Sequence, residues 1–232
     1  MVVVVDIPSE VLSVIHSAAA SKLMDLDEMI IKVSEGKFSC YQRNAECSGM
    51  FLYESEVFED IKDLNAEIPI FVKDIKTILS IVKKEKANLT IMPGETLFKF
   101  DKLTKKLPQP ANVKVPDKLP KFEVTTSMEL SSKNMEMLTN SFSDIKNTDI
   151  KIVARKDFIQ FEADNETRKT NIMFEPADVL SYNNTEETMS GFDKDMAVSM
   201  FNVKKEGKYK IELGNYAPMK VTQEIHGILK VL

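Results

Sequence analysis

The chain has 232 residues and a formal net charge of −5; 43% of its residues are hydrophobic and 29% are charged. This balance is typical of a folded globular protein and excludes an intrinsically disordered one. The length allows one large domain or two of about a hundred residues each. The negative charge argues against a tight reader of nucleic-acid sequence, which needs many lysines and arginines for its phosphate contacts.

Residues that carry catalytic or metal chemistry are scarce. Cys40 and Cys47 match no common zinc spacing, and their strand-like surroundings predict free, buried thiols in a reducing, intracellular compartment. Neither His16 nor His226 lies near a serine-rich elbow, and the sequence contains no G-x-G-x-x-G or Walker pattern. We therefore predict no catalytic residue, no metal site and no cofactor, and interpret the chain as a protein that is not an enzyme.

The first residues and the middle of the chain predict its organisation. The apolar stretch Met1–Val5 predicts a strand because it is too short to cross a membrane, and no other segment approaches a membrane span. Residues 105–121 are rich in proline and lysine, and proline lacks the N–H of a strand ladder, so this part predicts an extended connector. The predicted parts are an N-terminal domain 1–104, the connector 105–121 and a C-terminal domain 122–232.

The two halves carry the same order of predicted elements, which indicates an internal repeat. Periodicity predicts, in the first half, helix Ser9–Ala20, strands Met29–Val33, Phe38–Tyr41 and Met50-Phe51, a helix within Phe71–Glu85, and strands Ala87–Met92 and Thr96–Leu103. In the second half it predicts helix Ser131–Lys146, strands Asp149–Val153, Phe158–Phe161 and Met173-Phe174, a helix within Phe192–Glu206, and strands Lys208–Leu213 and Met219–Ile225.

The clearest match joins FVKDIKTILSIVKKE with FDKDMAVSMFNVKKE, which we align in register throughout. Each half then reads β-α-β-β-β, a crossing segment, and α-β-β. Sequential hairpins predict antiparallel pairing, and two helices can cover only one face of such a sheet. The sequence therefore predicts an α+β fold of two tandem domains, each with two helices on one face of a mainly antiparallel sheet.

The helix of the first half that follows Phe71 has one apolar and one basic face. Its apolar stripe is Ile75, Ile78, Leu79 and Val82, and the opposite face carries Lys73, Lys76, Lys83 and Lys84. The other helices carry or precede fewer lysines: Lys22, Lys133, Lys146, Lys194, Lys204 and Lys205. Lysine is a common way to solvate a helix face, so two interpretations stay open, solvation or anion binding. Acidic residues gather elsewhere, which favours the second.

Together, the tandem repeat, the lysine-bearing helices, the proline-rich connector and the acidic overall charge resemble DNA polymerase sliding clamps of the two-repeat, trimeric type. Phe71–Val82, the tract of Pro108 to Pro120, and Lys208–Leu213 look most like the clamps of T-even-like tailed phages. The resemblance implies DNA-clamp-like domains in a homotrimeric ring around duplex DNA. It also implies no catalysis and a cytoplasmic location, that of the host if the protein is viral.

The resemblance also implies roles for particular residues. The ten lysines named above would face double-stranded DNA without reading its sequence. DNA polymerase and the clamp loader would dock beside the connector, against Val113, Val115, Leu119 and Leu229, although these residues could equally anchor the connector itself. Asn171–Glu175 is a candidate for one side of the subunit interface. The alternatives are a non-ring processivity factor, a non-enzymatic adaptor with the same tandem fold and, more remotely, an enzyme.

Overall fold

The computed structural model describes residues 2–21, 24–45, 49–113, 115, 121–146, 148–165, 167–202, 207–223 and 228–231, the last four by their backbone alone. The chain divides into two compact units, residues 1–117 and residues 118–232, called unit 1 and unit 2 below. All strand pairs described here are antiparallel.

Unit 1 consists of two groups of strands and two helices. Its elements are β1 (Val3–Pro8), α1 (Ser9–Ala19), β2 (Glu28–Ser34), β3 (Lys37–Arg43), β4 (Met50–Glu54), a 3-10 turn (Glu59–Ile61), β5 (Ala66–Phe71), α2 (Val72–Val82), β6 (Lys86–Met92), β7 (Glu95–Phe100) and β8 (Leu103–Pro108). Hydrogen bonds connect the strands in the orders β1-β6-β7-β8 and β5-β2-β3-β4.

Unit 2 repeats this plan with one additional strand. Its elements are β9 (Thr126–Ser131), α3 (Ser132–Ser143), β10 (Asp149–Ala154), β11 (Ile159–Asp164), β12 (Lys169–Phe174), a 3-10 turn (Pro176–Asp178), β13 (Ser181–Asn184), β14 (Thr188–Asp193), α4 (Lys194–Phe201), β15 (Lys208–Leu213), β16 (Lys220–Gln223) and β17 (Ile228–Val231). The strand orders are β12-β11-β10-β14 and β13-β9-β15-β16-β17.

Alternation along the strands turns one face of each sheet toward the helices. In β2, Met29, Ile31 and Val33 are fully buried while Lys32 between them is exposed. The apolar stripe of α2 packs on β5, β6 and β7, and each fully buried Ile or Leu of this layer contributes about 1.5–3 kcal/mol through removal from water. The predicted α+β fold, with two helices on one face of antiparallel strands in each unit, is confirmed.

Several element boundaries differ from the predictions. The crossing segments are not irregular: each ends in a strand, β5 or β14, that pairs with the first strand after the preceding helix. Pro69 in β5 and Gly191 in β14 conceal these strands in the sequence, because both residues weaken a strand pattern. The predicted strand Thr96–Leu103 is two strands, β7 and β8, separated by a turn at Asp101. The first four connector residues, 105–108, belong to β8.

The sequence alignment of the second helix of each half is wrong by one residue. α2 begins at Val72 and α4 at Lys194, a separation of 122 residues, whereas the aligned sequences are 121 apart. The burial pattern agrees with the helix starts: Ile75 and Ile78 are equivalent to Ala197 and Met200, and all four side chains are buried. The shared Lys-Asp dipeptides therefore occupy different helix positions in the two units.

Gly214 gives a direct test of the packing at the end of β15. A Cβ added there would lie 2.2 Å from the backbone oxygen of Glu123 and 3.0 Å from Cβ of Ala217. We expect Gly214→Ala to lower the free energy of unfolding by about 1–3 kcal/mol, because backbone must move to admit the methyl group. Gly191→Ala is the control, since a Cβ there meets nothing within 4 Å. Equal urea midpoints for the two variants would contradict this packing.

Candidate nucleic-acid interface

Helix α2 holds its lysines outward because its other face is apolar and buried. Val72, Ile75 and Ile78 are at most 6% exposed, while Lys73 and Lys76 are exposed. The helix has one acidic residue near its start, Asp74, which is 8% exposed and so does not belong to the outer face. The lysines therefore present positive charge to solvent that no neighbouring acid of the same face offsets.

Two further lysines follow the last turn of α2. Lys83 adopts a left-handed backbone with φ of 52°, and its N–H donates a hydrogen bond to the carbonyl oxygen of Leu79 at 3.1 Å. Both Lys83 and Lys84 are exposed. A cation at a helix C-terminus is favourable because the last carbonyls carry a partial negative charge. The four side chains Lys73, Lys76, Lys83 and Lys84 form what is called here the α2 lysine face.

Ion pairing separates this face from other lysines of unit 1. Lys32 pairs with Glu67, Lys37 with Glu54, Lys86 with Asp60, and Lys106 with Glu95. Within the described residues, no member of the α2 lysine face is in an ion pair; Lys73 instead lies with its Nζ 5.2 Å from the centroid of the Phe71 ring. Its charge is therefore left for an anion outside the chain, whereas the charges of the paired lysines are partly neutralised.

A shallow, open hollow of about 770 Å³ lies beside this face. Lys73 and Lys76 line one side, and Asp27 and Glu28 contribute carboxylates to the same hollow. His16 reaches it from α1, whose other exposed polar residues include Glu10 and Ser13 but, within the described residues, no lysine. The hollow thus joins cationic and anionic groups without a nucleophile and base arranged for catalysis.

The predicted lysines of unit 2 differ from one another. Lys133 and Lys146 are exposed, but they share the surface of α3 and the residues after it with Glu136 and Asp144. Arg168 donates a hydrogen bond to Asp144 at 3.3 Å. This region therefore mixes both signs of charge.

Lys194 does not lie on an exposed helix face, so that part of the prediction is wrong. It is 8% exposed, and its Nζ lies 2.5 Å from a carboxylate oxygen of Asp195. The reason is the one-residue shift described above: Lys194 occupies the first, inward position of α4, equivalent to Val72. Lys22, Lys204 and Lys205 lie outside the described residues, and their DNA-facing role stays a prediction.

The start of the connector borders a second hollow, of about 650 Å³. Ile30 and Pro69, which are paired across β2 and β5, form its floor with their outward side chains. Pro110, Ala111, Asn112 and Val113 complete the lining. The amide of Gln109 fixes the entry of this segment by donating to the carbonyl oxygens of Met92 and Glu95, both at 3.1 Å.

Of the predicted docking residues, Val113 therefore lies in a hollow and Val115 is half-buried. Leu119 lies outside the described residues; Leu229 is in β17, of which only the backbone is described. The sequence analysis missed Ile30 and Pro69. An outward Ile in an otherwise alternating strand was the available signal, because such positions are normally polar.

The outer face of β15 and β16 carries a charge cluster that the sequence analysis also missed. Glu212 accepts hydrogen bonds from Lys210 at 2.9 Å and pairs with Lys220 at 2.6 Å. Burial of the Glu212 carboxyl opposes ionisation, but the hydrogen bonds from Lys220 and Lys210 outweigh burial and hold the pKa of Glu212 below its ordinary value. These lysines are structural, in contrast to the α2 lysine face.

Within the described residues, no group of three or more His, Cys, Asp or Glu side chains is arranged to hold a metal ion. No helix in that part of the chain combines the length and the apolar composition needed to cross a membrane. Cys40 is buried, and burial raises the pKa of its thiol.

Solved sliding clamps share this fold over its whole length. The structure of the C-terminal region of FEN-1 bound to A. fulgidus PCNA matches with a TM-score of 0.80 at 17% identity, covering 100% of this chain and 96% of that chain. Proliferating cellular nuclear antigen from Entamoeba histolytica matches with a TM-score of 0.74 at 13% identity, covering 98% and 96%. The DNA polymerase sliding clamp from Bacillus subtilis matches with a TM-score of 0.81 at 14% identity, covering 99% of this chain and 63% of that one.

No family model matches the sequence, and no curated protein matches it. At the identities given above, the likeness concerns the fold. The chain therefore has the tandem fold of sliding clamps, as its repeat predicts.

The contrast between paired and unpaired lysines can be measured as stability. We expect Lys220→Gln to lower the free energy of unfolding by about 1.5–3 kcal/mol, because it removes a charged hydrogen bond to the half-enclosed Glu212 carboxylate. Lys76→Gln is the control and should change it by less than about 0.5 kcal/mol.

The loss in Lys220→Gln should depend on pH with a definite sign. Because the folded-state pKa of Glu212 is depressed, its stabilisation is complete above the ordinary Glu pKa and is lost as pH falls through the folded-state pKa. Urea denaturation at neutral and at strongly acidic pH checks this. A penalty that grows toward acidic pH would refute the assignment.

Proposed function

We propose that this chain is a sliding clamp, a non-enzymatic ring of three copies that encircles duplex DNA and tethers a DNA polymerase for processive synthesis. The observation that carries the proposal is the α2 lysine face, unneutralised by the chain's own described acids, in a protein of net charge −5 with the fold of sliding clamps. The resemblance of Phe71–Val82 to phage clamps supports the phage-like, trimeric type and a location in the cytoplasm of an infected host.

The proposed DNA contact is electrostatic and carries no sequence information. Lysine presents a flexible point charge, and phosphate contacts position a protein on DNA without specifying bases. Exposed charges are screened beyond about 8 Å at physiological ionic strength, so each contact is short-ranged and easily exchanged. Such contacts suit a protein that moves along the duplex while remaining around it.

Ring closure requires open strand edges on each copy. Among the described strands, β8 is the outermost of its group in unit 1 and β12 the outermost of its group in unit 2. Each is six residues long, and each exposes an apolar side chain, Leu103 at 41% and Met173 at 54%. Open edges of this length are normally paired or covered. We propose that β12 of one copy, with the predicted segment Asn171–Glu175, pairs with β8 of the next.

The ring makes a prediction for solution mass and for topology. We expect the parent protein to sediment as three chains and, once loaded, to stay on circular DNA but run off linear DNA. Met173→Lys places an ammonium group at the proposed edge and should shift the trimer toward smaller species with loss of retention. Leu180→Lys, at 53% exposure and away from both edges, is the control and should stay trimeric. A parent that is monomeric at high micromolar concentration would point instead to a non-ring processivity factor or an adaptor.

We further propose that the hollow beside Val113 takes a short apolar segment of the polymerase and, in turn, of the clamp loader. The hollow is apolar at its floor, through Ile30 and Pro69, and Gln109 holds its rim in place. In the A. fulgidus structure a C-terminal region, that of FEN-1, is bound to the PCNA. A C-terminal peptide is accordingly the proposed form of partner here.

Docking is tested by peptide binding. Val113→Asp should weaken binding of a polymerase C-terminal peptide at least about tenfold, because it places a charge where an apolar side chain would be buried. Val4→Asp changes an equally accessible valine of β1 and should leave the affinity unchanged. The pair Val115→Asp and Leu229→Asp extends the test to the remaining predicted residues. Binding that survives all three docking substitutions would remove this site.

A further inference from the structure

The positive charge of α2 is not repeated on the equivalent helix of unit 2. With the helix starts superimposed in sequence, Lys73 corresponds to Asp195 and Lys76 to Val198. Asp195 is exposed and pairs with Lys194, which is itself buried. The repeat therefore conserves the inward apolar positions of this helix while it replaces two outward lysines by an acid and a valine.

The third helix does not restore the balance. Lys133 and Lys146 are exposed, but Glu136 and Asp144 are exposed beside them. In unit 1, by contrast, the α2 lysine face carries four exposed lysines, and its nearby Asp74 is buried. The difference between the units lies in residues that packing leaves free, because all of these side chains except Asp74 point away from the core.

We propose that unit 1, through the α2 lysine face, carries the larger share of the contact with DNA phosphates, and that unit 2 contributes the smaller share. This inference rests on the proposed function, and its ligand is the phosphodiester backbone of duplex DNA. A ring of three copies then has three strong and three weak contact zones rather than six equal ones.

Matched double substitutions separate this arrangement from a uniform one. Lys73→Glu with Lys76→Glu and Lys133→Glu with Lys146→Glu change the charge of the chain equally, at exposed positions in different units. The measurement is equilibrium binding of the trimer to a short duplex of mixed sequence over a series of salt concentrations. Circular dichroism and sedimentation of each variant establish that fold and trimer are intact.

The expected result is unequal loss. The α2 pair should lower the affinity at low salt by about tenfold or more and reduce the slope of log K against log salt by about two, one for each lost phosphate contact. The α3 pair should lower the affinity less than about threefold. Val198→Lys, which supplies the missing lysine on α4, should steepen the slope by about one.

Two other outcomes would overturn the inference. Equal losses for the α2 and α3 pairs would show a uniform lining while leaving the clamp function intact. A loss for Lys204→Glu with Lys205→Glu as large as that of the α2 pair would do the same. If the parent neither binds duplex DNA at low salt nor stays on circular DNA, the proposed function fails, and the inference fails with it.

Discussion

The burial of one apolar stripe per helix against the inner face of the strands determines most of what this chain presents to its surroundings. Ile75 and Ile78 can be removed from water only if α2 lies with that side on the sheet. The outward direction of Lys73 and Lys76 then follows without any interaction of their own. A surface organised in this way costs little stability, because its side chains are placed by the packing of others.

The same constraint explains which parts of the fold were predictable. Helix existence and the antiparallel hairpins follow from periodicity, since inward residues must be apolar at spacing 3.6 or 2. The strands β5 and β14 escaped because Pro69 and Gly191 interrupt a pattern that pairing to β2 and β10 nonetheless satisfies. Tertiary pairing overrode local preference there, and one strand running on to Pro108 escaped for a related reason.

Lys194 illustrates why the candidate site was harder to predict than the fold. Identity of short segments suggested an alignment that placed it beside Lys73, but helix starts are set by burial rather than by letters. One residue of shift turns a side chain by about 100°, which is enough to exchange an outward position for an inward one. Ion pairs were equally invisible: nothing in the sequence distinguishes Lys220, held by Glu212, from Lys76.

The attachment of the connector has a mechanical consequence. Residues 110–113 continue directly from β8, and Gln109 ties the junction to the turn between β6 and β7. A pull on this segment would therefore act along β8, while the hydrogen bonds between β8 and β7 lie across it. Such bonds are loaded in shear, so that several must yield together rather than one after another. A moving enzyme attached at this point would strain the sheet as a unit instead of peeling away its edge.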